Sequence, residues 1–183
     1  MCEVKLTVPD PSLVALVGPS GGGKSTFAGR HFPRSAILSS DELRALIAGD
    51  ANDQSASAEA FKVLALLVDG RLRRQLLTVV DATNLRRDSR RRWLRMARRQ
   101  GVPAIAICFD FAASTYLELN DQRQGRRVAE MVVRAQVERL SLTRDDLVAE
   151  GWDALHVLTS PEEAAAAEVE LVRRADGGVT PRR

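Results

Sequence analysis

Eight consecutive residues near the start of the chain, Gly18-Pro19-Ser20-Gly21-Gly22-Gly23-Lys24-Ser25, fit the spacing G-x-x-x-x-G-K-[ST]. Glycines in such a loop let successive backbone N–H groups converge on phosphate oxygens. Lys24 is placed to reach the β- and γ-phosphates of a nucleotide, and the Ser25 hydroxyl to ligate Mg²⁺. Thr26 opens the following helix, whose N-terminus adds favourable partial charge. The plain alternative is a glycine-rich turn with a solvated lysine. An apolar run before the loop and a helical segment after it favour the phosphate cradle.

Three further groups suit phosphoryl transfer. Asp41, in Ser39-Ser40-Asp41-Glu42-Leu43-Arg44, stands where a strand should give way to a helix. A carboxylate there can take the proton of an attacking hydroxyl, or simply cap the helix. Arg44, three residues on, shares the helix face of Asp41 and could hold a phosphate bidentately. Asp81 ends the apolar run Leu76–Val80, the position from which an acid holds Mg²⁺ beside a phosphate loop. Arg123, Arg126 and Arg127 precede an amphipathic segment with Val128, Met131, Val132 and Ala135 on one face. They read either as a lid over the donor phosphates or as solvated charges at a helix start.

These residues need elements to hold them. Short apolar runs recur at 13–17, 36–38, 76–80, 103–109 and 154–158, the mark of strands buried on both faces. Helical periods lie between them, at 56–75 and 86–100, and the capping box Ser160-Pro161-Glu162-Glu163 should open a last helix. Alternation at this spacing predicts an α/β fold, a parallel sheet covered by helices on both faces. One domain over residues 1–174 is expected, with 175–183 as a loose tail.

Composition narrows the classes. With 183 residues, 45% apolar and 28% charged, the chain is globular rather than disordered. No apolar run nears the ~18 residues of a membrane span, and nothing suggests export, so a cytoplasmic protein is expected. Two cysteines, Cys2 and Cys108, are too few for a disulfide framework. The absence of an Asn-Lys-x-Asp guanine-reading motif argues against a GTPase switch. Of 27 basic residues only Lys5, Lys24 and Lys62 are lysines. Arginines crowd the segment Arg86–Arg99, readable as a nucleic-acid backbone track or as a solvated helix face.

Taken together, these motifs resemble the kinase domain of bacterial polynucleotide kinase-phosphatases, the end-healing RNA-repair enzymes. The similarity runs from about Val4 to Glu170 and takes in Lys5–Pro9, the loop Gly18–Thr26 and Ser39-Ser40-Asp41. It continues through Asn52-Asp53-Gln54-Ser55-Ala56, Thr78–Asn84, Arg123 with Arg126, and Thr159–Glu163. Where that family carries basic residues before its lid, this chain has Leu119-Asn120-Asp121. The resemblance implies a five-stranded sheet of order 2-3-1-4-5 and transfer of the γ-phosphate of ATP or another NTP, with Mg²⁺, to the 5′-hydroxyl end of RNA or DNA. It implies Asp41 as general base, Arg44 on the acceptor's phosphate, Lys24 and Ser25 on the donor, and Arg123 as lid arginine. It also implies phosphatase or ligase domains as possible companions, while the oligomeric state stays open. Two other readings stand beside it: a small-molecule kinase acting on a sugar, nucleoside or antibiotic hydroxyl, and a nucleotide-dependent binding module.

Overall fold

Two strands open the fold, β1 (Lys5–Asp10) and β2 (Leu13–Val17), and their patterns set their places. β1 alternates, with Leu6 and Val8 buried between exposed Lys5 and Thr7. β2 is buried at every position. Alternation marks a strand with one wet face, and an unbroken run marks one covered on both. The computed structural model describes residues 4–122 and 128–173.

β2 is the centre of a five-stranded parallel sheet with β3 (Ile37–Ser39), β4 (Thr78–Asp81), β5 (Ala104–Phe109) and β6 (Ala154–Leu158). The order is β3-β4-β2-β5-β6. The labels depart from the expected 2-3-1-4-5 because β1 precedes the loop strand; with β1 set aside the two orders coincide. Helices α1 (Lys24–His31), α2 (Ser40–Ala48), α3 (Ser57–Arg73), α4 (Arg87–Gln100), α5 (Ala113–Asp121) and α6 (Glu130–Ala149) cover the sheet. Successive β2 side chains serve opposite layers. Val14 and Leu16 pack with Phe27 of α1, Tyr116 of α5 and Leu140 of α6. Leu13 and Ala15 pack with Leu43 of α2, Leu64 of α3 and Trp93 of α4. The period of two along one strand thus organises both halves of the core. Among the described residues no helix is long and apolar enough to cross a membrane.

Two elements differ from expectation. The capping box at Ser160 forms, with the Glu163 N–H donating to Ser160 Oγ at 3.1 Å and Thr159 N–H donating to Glu163 Oε2 at 2.6 Å. The helix it opens, α7 (Pro161–Ala166), is short, and the chain continues as strand β7 (Glu168–Arg173). Glu168-Val169-Glu170-Leu171 alternates polar and apolar residues, a strand period that wins once β1 lies alongside to pair with it. The pairing is parallel, from Lys5 opposite Glu168 to Asp10 opposite Arg173, with Lys5 Nζ 3.1 Å from Glu170 Oε2. The expected tail, 175–183, lies outside the described residues.

In α6 the core face is Val133, Leu140, Thr143 and Leu147, not the face that includes Met131 and Val132. Met131 is 78% exposed. Val133, Leu140 and Leu147 recur every seven residues, just under two helical turns, which keeps them on one side of the helix.

α4 divides its arginines. Arg90 is fully buried and donates from Nε and Nη2 to the Glu150 carboxylate at 2.9 and 2.8 Å. Its Nη1 donates to the carbonyls of Asn84 (3.1 Å) and Leu85 (2.9 Å). Trp93 and Leu94 pack inward beside it. A uniformly solvated arginine face is therefore not what the helix presents.

Candidate active site

Parallel strands bring all their carboxyl ends to one edge, and the sequence-marked residues follow those ends. The loop after β2 carries residues 18–23, α2 begins directly after β3, and Asp81 ends β4. Gly18 N–H donates to the Thr83 carbonyl at 2.9 Å, so the phosphate loop is pinned to the turn after β4.

Inside the loop, Gly23 precedes α1 with φ +78°, a conformation L side chains rarely adopt. Gly22 is required for a different reason. A Cβ there would sit 2.6 Å from Tyr116 Cε1, and that buried ring is held by its hydroxyl bond to the Phe109 carbonyl. Gly22→Ala is therefore expected to cost about 1–3 kcal/mol of stability through overpacking. A lower thermal unfolding midpoint together with weakened nucleotide affinity is the result that checks it.

Lys24 is buried and its Nζ donates to the Pro19 carbonyl at 2.6 Å, lying across the loop it serves. Asp81 is also buried, and burial pushes its carboxyl above the usual carboxylate range. A hydrogen bond from the Ser25 hydroxyl and the charge of Lys24 oppose that shift. Asp41 and Glu42 add to it. A buried carboxylate joined to a hydroxyl, with further carboxylates near and one ammonium to balance them, suits a hard oxygen-preferring cation. Among the described residues no group of three or more His, Cys, Asp or Glu could cage a metal ion. The residues that fit Mg²⁺ are thus Ser25 and Asp81, in the manner of an ion that takes one or two protein oxygens and fills its octahedron from phosphates and water.

Asp41 lines the same cleft as Lys24, Ser25 and Asp81. The structure removes its capping alternative: the N-cap of α2 is Ser39, whose side chain accepts from the Glu42 N–H. Asp41 sits inside the first turn, half exposed, and its Oδ1 accepts from Arg44 Nη2. Arg44 is itself buried, with Nε donating to the Ala51 carbonyl at 2.9 Å. Both side chains also line a larger cavity of about 550 Å³, shared with Asn52, Gln54, Phe61 and Val132. Arg123 and Arg126 lie outside the described residues. The segment that holds them is flanked by a clasp, in which Asn120 Nδ2 donates to the Val128 carbonyl (2.8 Å) and Asn120 Oδ1 accepts from Val128 N–H (3.0 Å).

Other residues build the site in ways that local sequence pattern does not show. Gln136 reaches from α6 to accept the Ser20 N–H at 2.7 Å, and nothing in its local pattern marks it. Asn84 adopts φ +49°, donates to the Leu16 carbonyl at 2.8 Å and accepts from Trp93 Nε1 at 2.9 Å. An asparagine in the turn after β4 is a signal for this geometry, since Asn tolerates the left-handed region. Phe111 and Pro161, with Phe27 and Leu119, form an apolar cavity of about 210 Å³ against Gly21–Gly23, on the other side of the loop from Asp41.

Residues 13–147 match the family described as AAA domain. The chain belongs to that family. No curated protein sequence matches this AAA domain. Among solved structures it is similar to a gluconokinase from Sinorhizobium meliloti 1021, at 19% identity and TM-score 0.56, covering 87% of this chain and 93% of that one. It is similar to a sugar kinase from Janibacter sp. HTCC2649, at 18% identity and TM-score 0.56, covering 84% and 90%. A chain of a Pnkp1/Rnl/Hen1 complex aligns at 22% identity and TM-score 0.51, covering 65% of this chain and 41% of that one. At these identities the likenesses establish the fold of the AAA domain alone: a five-stranded parallel sheet covered by helices.

Proposed function

We propose that this AAA domain is an ATP-dependent polynucleotide 5′-hydroxyl kinase. The observation that carries the reading is the Asp41–Arg44 pair, set between the phosphate loop on one side and the 550 Å³ cavity on the other. A carboxylate oriented by a buried guanidinium suits a base that takes the proton of an acceptor hydroxyl. The freed oxygen forms its bond to the γ-phosphorus as the bond to the β-bridging oxygen breaks, releasing ADP and leaving a 5′-phosphate.

The remaining residues divide the work. Backbone N–H groups of Gly21–Ser25 and the N-terminus of α1 take the donor phosphates, with Lys24 on the β- and γ-oxygens. Ser25 and Asp81 would hold Mg²⁺, which when bound would neutralise charge on those oxygens. The apolar cavity at Phe111 and Pro161 offers the donor base a dry surface. Arg123 and Arg126 are assigned to the donor phosphates on the resemblance alone.

A second reading has one observation in its favour. Asn52, Gln54, Ser40 and Ser57 give the acceptor cavity a hydrogen-bonding lining that also suits a polyhydroxyl small molecule. Labelled ATP, offered to a 5′-hydroxyl oligonucleotide and separately to gluconate, free sugars and nucleosides, distinguishes the two. Label on the oligonucleotide is expected, and label on the small hydroxyl compounds alone transfers the site to the second reading.

A further inference from the structure

The acceptor cavity continues past its own wall. Ser57, Phe61 and Thr83, which line it, also line a neighbouring cavity of about 510 Å³ that extends to Arg86, Ser89 and Arg92 at the start of α4. The phosphate cleft, the acceptor cavity and this extension thus form one trench, joined first at Asp41 and Thr83 and then at Phe61.

Charge along α4 is sorted in a way that marks the extension. Arg90 is committed to Glu150, Arg99 to Asp69, and Arg87 lies 3.8 Å from Asp146. Arg98 donates to the carbonyls of Glu150 (3.3 Å) and Gly151 (3.1 Å). Among the described residues the side chains of Arg86, Arg91, Arg92 and Arg95 make no ion pair or hydrogen bond. Arg86 and Arg92 face the trench; Arg91 and Arg95 line a separate hollow with Leu94 and Glu150.

We propose that this extension is the track for the strand behind the reacting 5′ end, with Arg86 and Arg92 binding the phosphates of the second and third nucleotides. The proposal rests on the kinase reading above and names what that reading leaves open. An acceptor of one sugar or nucleoside fills the first cavity and ends there. A polynucleotide must leave it, and the exit at Phe61 offers an aromatic face for a base before the chain meets two unpaired guanidiniums. Asp88 lines the same stretch and reduces the local charge without reversing it, which suits a strand released after each turnover.

The test compares the full chain with R86A/R92A on two acceptors: a nucleoside 3′-monophosphate, and a 5′-hydroxyl oligonucleotide of about 10 nucleotides. Expected is a fall of about tenfold in kcat/KM on the oligonucleotide, and a salt slope of log kcat/KM shallower by about 1.4, as for two lost phosphate contacts on a single strand. The monophosphate should be phosphorylated as before. R91A/R95A removes the same charge from the other hollow and should change neither quantity. A double variant at 86 and 92 that keeps the slope, or one at 91 and 95 that matches its loss, overturns the track and leaves the kinase reading standing. If the parent chain phosphorylates neither acceptor, the kinase reading falls. Fluorescence anisotropy of a labelled oligonucleotide still decides the track without turnover: weaker binding in R86A/R92A alone supports it, and equal binding overturns it.

Discussion

Asp41→Asn is expected to lower the rate of phosphoryl transfer by about 10²–10⁴-fold while leaving nucleotide affinity unchanged. The substitution is nearly isosteric, so its effect is chemical. An amide oxygen at the same place can still accept from Arg44 Nη2, and Arg44 keeps its bond to the Ala51 carbonyl. What the amide lacks is basicity towards a hydroxyl proton. Helix α2 should not suffer, because its cap is Ser39 and not Asp41. Single-turnover rates report the chemical step, and equilibrium titration with ATP reports the donor site. A variant that turns over within about threefold of the parent would take Asp41 out of the base role.

Arg90→Ala is expected to destabilise the fold by about 3–5 kcal/mol, an effect that the arginine-rich pattern of α4 gives no hint of. The loss has identifiable parts. Glu150, whose side chain is 2% exposed, would remain buried with its bidentate partner gone. The carbonyls of Asn84 and Leu85 would lose the donor that now reaches them from Nη1. Leaving the buried Glu150 carboxylate without its ion-pair partner and the Asn84 carbonyl unmet, with only the Thr143 hydroxyl left on the Leu85 carbonyl, costs far more than an exposed ion pair returns. Arg90→Lys should recover little, since one ammonium cannot occupy the fork that serves the Glu150 carboxylate and both carbonyls together. Urea unfolding reads the difference directly. A change below about 1 kcal/mol would place Arg90 with ordinary exposed arginines.

Those two residues show where the sequence is legible and where it is not. The inner strands β4, β2 and β5 are written as near-continuous apolar runs, because a parallel strand covered on both faces has no wet side to encode, whereas the edge strand β6, expected to be buried on both faces, leaves Val157 exposed. β2 and β6 fall on the residues so marked, and β3, β4 and β5 within a residue or two. The phosphate loop is equally plain, since its backbone geometry restricts residue choice at nearly every position. Lys24, Ser25, Asp41 and Asp81, marked one by one along the chain, line a single cleft. Arg90 escaped because a helix full of arginine looks the same whether one of them faces inward or none does. Its partner Glu150 lies on the far side of the sequence, at the end of α6. β7 escaped for a related reason: a helical start at Ser160 gives no sign of how soon the helix ends, and the strand after it becomes visible only once β1 is known to lie beside it. The apolar face at Val128 and Val132 lines the cavity, with Val128 also touching the core, so it does not mark the core side of α6. Local pattern reports that a residue is apolar, without saying which of two dry surfaces it lines.

The pairing of β1 with β7 has a consequence for how the protein comes into being. Lys5–Asp10 leaves the ribosome before every other described element, and Glu168–Arg173 after all of them. Until that last strand appears, the β1 backbone has no partner for its ladder, and Leu6 and Val8, almost wholly buried in the finished fold, lack part of their cover. The central sheet can assemble from neighbours as they emerge, but this seam must wait, and contacts so distant along the chain form slowly. Synthesis halted before Glu168 would leave a sticky open strand far back along the chain, a species suited to chaperone capture or aggregation. Closing the seam thus joins the first and the last described elements of the fold.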